Sequence, residues 1–164
     1  MPIAAPETVG AMNTSVQNIA GNLPTSAEAL AAWNAASAWA PVATSFFSSA
    51  VIPAVTDLGK AAGEAAFITA VGASSPAANQ MTEGALSAGF QAYAAAVVAP
   101  TFCNPPLPVV HAPPASAPVL NLSGLAPSES TLPSTTVLYN QLKEWVVSGT
   151  QTTPGTPPVT VPWS

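Results

Sequence analysis

The chain has 164 residues, of which only two are basic and seven acidic, giving a net charge of −5. Charged residues make up 5% of it, against roughly 25% in an ordinary soluble domain. Lys60 and Lys143 are the only cations, too few to release counterions from a nucleic acid, and that class of partner is excluded. A mixed-sign charged surface cannot be built either. The exposed faces are therefore Ser, Thr, Asn, Gln and Ala, or they are covered by other polypeptide. High hydrophobicity with low charge is the opposite of the disordered composition, and the length suffices for one domain with a core.

Met1-Pro2-Ile3-Ala4-Ala5-Pro6-Glu7 lacks a basic run followed by an apolar core, so a chain cytosolic at synthesis is expected. Residues 7–21 read as a short helix, with Val9, Met12, Val16 and Ile19 recurring at intervals of three and four. Thr25-Ser26-Ala27-Glu28 reads as a capping box in which the Thr hydroxyl and Glu28 satisfy first-turn amides. It opens a helix over about 26–40 carrying Leu30, Trp33 and Trp39, which Pro41 ends or kinks. A further segment is expected over 42–52 with Pro41 in its first turn, and another over about 54–71 opened by Pro53. In the latter, Gly59 and Gly63 form a small-x-x-x-small pattern.

After a break at Gly72-Ala73-Ser74-Ser75, Ser75-Pro76 has the form of a helix start. The alternative is a regular helix that begins only at Thr82; either way Pro100 stops it. Leu86, Phe90, Tyr93 and Val97 give this helix one apolar face. Ala85, Ala88, Gly89, Ala92 and Ala96 give it a second, flat one that another helix can approach closely. That flat face is the first candidate protein interface.

Nine prolines between Pro100 and Pro133 exclude regular helix and favour extended, polyproline-like chain. This segment reads as a strap over the helices or over a neighbour, with Pro105 and Pro106 as interface candidates and Val119-Leu120-Asn121-Leu122 as a short edge strand. Helix returns at about 135–148, with Leu138, Leu142 and Trp145 on one face and Gly149 as its C-terminal cap. The Thr/Pro-rich tail over 150–164 is expected to be extended. Its Trp163 either anchors into a partner's pocket or folds back on its own chain.

Chemistry-bearing patterns are absent. His111 is the only histidine and Asp57 the only aspartate, and no Gly-x-Ser-x-Gly or phosphate-loop pattern occurs. Cys103 is a single cysteine and reads as a small hydrophobe. No enzyme activity, cofactor, metal or small-molecule substrate is expected. The stretches over 29–56 and 84–128 carry no charge but are broken by Pro41, Pro53 and Pro100, so a membrane-active, holin-like or pore-forming protein is the lesser reading.

The expected fold is mainly α. An Ala-rich helical bundle with Ala/Gly-rich interfaces spans 1–100, a Pro-rich strap 101–134, one further helix 135–149 and an extended tail 150–164. The run Ala88-Gly89-Phe90-Gln91-Ala92-Tyr93-Ala94-Ala95-Ala96-Val97, followed by Pro100-Thr101-Phe102 and Asn104-Pro105-Pro106-Leu107-Pro108, resembles small virion structural proteins of tailed bacteriophages. Those chains pair an alanine-rich aromatic-x-Ala-aromatic-Ala helix with a following Pro-x-Phe and Pro-Pro-x-Pro element. The resemblance implies a non-enzymatic particle component of tail, baseplate, neck or capsid, bound to copies of itself and to other particle proteins. It implies location in the virion, after synthesis and assembly in the host cytoplasm.

Overall fold

Apolar residues spaced by three and four wind into helix through most of the chain before Pro100. The computed structural model describes residues 9–49, 57–97, 110–122, 130–153 and 155–163. Its elements are α1 (Gly10–Gly21), α2 (Ala27–Ala32), α3 (Ala35–Ser49), α4 (Asp57–Ser74), α5 (Glu83–Val97), β1 (Val110–Ala112), α6 (Leu132–Val146), β2 (Thr150–Thr153) and β3 (Val159–Pro162). The fold is mainly α with one small antiparallel sheet in the order β1-β2-β3.

Local chemistry moves several expected boundaries. The helix expected over 26–40 is two helices. Ser26 rather than Thr25 caps α2, its hydroxyl accepting from the Ala29 amide at 3.1 Å. Trp33 then turns extended, and the Asn34 side chain starts α3 by accepting from the Ser37 amide at 2.9 Å. Pro41 does not end this helix but lies inside it. Both Pro41 and Ser37, whose carbonyl loses its partner, are on the exposed side, where the missing bond leaves nothing unsatisfied in the core. Residues 42–49 simply continue α3, and 50–56, with Pro53, lie outside the described residues.

Ser75-Pro76 does not open a helix. The Ser75 hydroxyl closes a turn on the Gln80 carbonyl, and Thr82 caps α5 by accepting from the Ala85 amide at 3.1 Å. α6 begins at Leu132, with Pro133 in its first turn, three residues earlier than expected. Val119–Leu122 is not a strand. The tail is not a lone extended segment but a hairpin, β2 pairing with β3 in the register Gln151↔Val161, with β1 alongside in the register His111↔Gln151.

The core is aromatic and is centred on the packing of α3 and α4 against α5. Phe46, Phe47, Phe67, Phe90 and Tyr93 are buried, and Phe90 meets Phe46 and Phe67 edge-on at 6.1 and 5.7 Å. Phe47 stacks on Tyr93 at 4.9 Å. Leu138, Leu142 and Tyr139 bring α6 onto the same core.

Candidate interaction site

Each helix of the α4–α5 pair presents a glycine to a ring of the other. A Cβ on Gly63 would stand 2.7 Å from the Tyr93 ring, and one on Gly89 would stand 2.7 Å from Phe67 and 2.8 Å from Val71. Gly63 of the small-x-x-x-small pattern in α4 therefore lies against Tyr93 on the apolar face of α5, and Gly89 on the flat face lies against Phe67 and Val71 of α4. Ala85 and Gly89 are buried in that contact, whereas Ala88, Ala92 and Ala96 are half-buried. The flat face, expected to receive a partner, is thus partly spent on the chain's own α4. Pro105 and Pro106 lie outside the described residues.

Trp163 is not a free anchor. It is 1% exposed and lies flat on Gly149, where a Cβ would come within 2.5 Å of the indole. Its indole N–H donates to the Thr150 carbonyl at 3.0 Å and its backbone N–H to the Gly149 carbonyl at 2.8 Å. The backbone bond places it, because β3 must end beside the start of β2 once the hairpin register is set. Of the two sequence-based alternatives, folding back on its own chain is the observed one.

The strap is held by side chains reaching for its backbone. Glu83, Ser87 and Gln91 stand one helical turn apart along α5. Glu83 Oε1 accepts from the Leu122 amide, Ser87 Oγ donates to the Pro118 carbonyl, and Gln91 Nε2 donates to the Ala115 carbonyl at 3.2 Å. From the other side, Gln141 on α6 accepts from the Asn121 amide at 3.0 Å and donates to its carbonyl at 3.1 Å. One turn further on, the Trp145 indole N–H donates to the Ser116 carbonyl at 2.6 Å. The strap thus runs antiparallel to both helices, with Pro114, Pro118 and Leu120 buried and Val119 88% exposed. Sequence reasoning placed a strap here but missed this groove. Its signal was a polar row at four-residue spacing on an otherwise alanine-rich helix.

Two polar arrangements lie apart from the strap. The Thr44 hydroxyl donates to Glu64 Oε1 at 2.6 Å and lies 3.0 Å from the Tyr93 hydroxyl. Burial pushes the Tyr93 phenol up to about 12, so it stays protonated as a hydrogen-bonding group of the core. In the sheet, His111 Nδ1 and Gln151 Oε1 are buried without a hydrogen-bond partner among the described residues, and burial lowers the His111 pKa. The His111 ring faces Trp163 edge-on at 6.4 Å.

Among the described residues, no group of three or more His, Cys, Asp or Glu side chains comes together to hold a metal. No helix among them is long and apolar enough to cross a membrane. Comparison of the chain with family models, characterised proteins and solved structures finds no match.

Proposed function

We propose that this chain is a non-enzymatic structural or assembly component of a viral particle, in a tail, baseplate, neck or capsid, and that it acts by subunit–subunit packing. The observation that carries the packing role is a surface with almost no charge that exposes large apolar side chains. Val119, Val110 and Val159 are 88%, 66% and 58% exposed, and Leu23, Leu30, Leu132 and Val147 are exposed too. Nine charged residues in 164 give such a surface little to keep copies apart. The virion assignment rests on the resemblance of residues 88–108 to phage structural proteins.

Light scattering on the purified chain tests the packing role directly. An oligomer that grows with concentration is expected, and a monomer that stays soluble at high concentration overturns the reading. Mass spectrometry of purified particles tests the location: the chain is expected among the particle proteins, at a copy number that survives stringent washing.

A further inference from the structure

We infer that the groove between α5 and α6 is a recognition site for an extended proline-bearing segment, and that the 113–122 segment of a second copy can occupy it by exchange. The inference rests on the assembly reading and names the contact that would join the copies.

The groove recognises main chain. Six hydrogen bonds between the two helices and the strap run between a helix side chain and a strap carbonyl or amide. The pattern combines a tryptophan N–H donating to a carbonyl, buried prolines and glutamine side chains bonded to the strap backbone. It is the physical logic by which proline-rich segments are bound between separate proteins, where a preformed extended chain loses little entropy on docking.

An identical strap from a second copy satisfies the same six bonds with the same geometry, so exchange changes no contact enthalpy at the groove and concentration sets its extent. Val119 adds a reason for copies to meet here. It stands out of the strap almost fully exposed, beside a cleft lined by Ser116, Gln141, Glu144 and Trp145. β1 runs straight into the strap, so Val110–Ala112 cross with it and pair with β2 of the second copy, and residues 98–109 and 123–129 link this unit to α5 and α6. At roughly 3.3–3.6 Å per residue, chains of these lengths span at most about 40 Å and about 23 Å.

The test uses the full-length chain. One batch labelled with 15N and another with 13C are unfolded, mixed and refolded together at high concentration, and light scattering gives the mass. Isotope-filtered NMR then looks for contacts between unlike copies, from the Gln91 side-chain amide to Ala115 and from the Trp145 indole N–H to Ser116. Both contacts are expected across copies in an oligomer, and both should weaken on dilution. An oligomer in which neither contact crosses overturns strap exchange and leaves the packing role standing. An oligomer in which only the Gln91 contact crosses also overturns it, because the strap has then moved together with α6. A monomer at every concentration overturns both readings.

Discussion

The α4–α5 pair and the three-stranded sheet use the same device, a glycine pressed against an aromatic ring, in opposite surroundings. In the helix pair, Gly63 faces Tyr93 and Gly89 faces Phe67, and the rings continue into Phe46, Phe47 and Phe90. In the sheet, Gly149 faces Trp163, but the neighbouring side chains are threonines, Gln151 and His111, two of them with unpartnered buried atoms. The β1 and β3 strands are three and four residues long and lie at the two edges. A ring embedded among other rings shares its burial with the whole bundle. Trp163 reaches the edge of the same buried cluster, but its hydrogen bonds tie it to Gly149 and Thr150 and the strands around it are short. The first region is therefore expected to unfold with the whole domain, and the second to open by itself.

Substitutions that separate the two regions break or sharpen this contrast. The largest effect is expected from Phe90→Ala, which empties the centre of the aromatic cluster and should cost about 3–5 kcal/mol of global stability in urea unfolding. Trp163→Ala should cost about 3 kcal/mol, the lower end for a buried tryptophan, but locally. Amide exchange over 150–162 should quicken while the helical unfolding midpoint stays nearly in place, and a matching fall in the midpoint would merge the two regions into one. Gly89→Val drives methyl groups into Phe67 and Val71 and should cost about 1–3 kcal/mol, lowering the thermal midpoint seen by circular dichroism at the helical minimum.

The smallest effect is that of pH on the sheet. Burial favours the neutral imidazole of His111, so the undocked sheet takes up a proton before the docked one does. Sheet stability is then complete above the ordinary histidine pKa of about 6.5 and declines as pH falls below it. The Trp163 indole N–H signal should weaken between neutral and mildly acidic pH, and His111→Phe should flatten that response without altering the helical signal.

What was readable beforehand follows from the range of the forces involved. Helices are specified by side chains three and four residues apart, so their existence and the apolar face of α5 could be read along the chain, while the start of α5 stays open between Ser75 and Thr82. Pro41 misled because a proline's cost depends on which side of the helix it occupies, and that is set by packing rather than by its neighbours in sequence. The sheet pairs Val110–Ala112 with residues about forty positions later, and short Thr/Val/Pro strands carry too weak a pattern to announce a partner at that distance. The flat face of α5 reads as a surface for close approach, and at Gly89 its occupant is α4. Nothing in alanine and glycine says whether the approaching helix belongs to the same molecule.

The reciprocal placement of Gly63 under Tyr93 and Gly89 under Phe67 keys the two helices like a two-pin plug. Sliding by one turn in one direction would leave Tyr93 over Gly59 but put Phe67 on Ala85, and in the other would set the two rings against each other, so the observed alignment is the one that seats both rings on bare backbone. In diverging descendants of this chain, the alanines around the keys are free to drift toward serine or threonine. A bulkier residue at either glycine would have to arrive with a smaller one at its opposite ring, so the four positions should change as two couples or stay fixed.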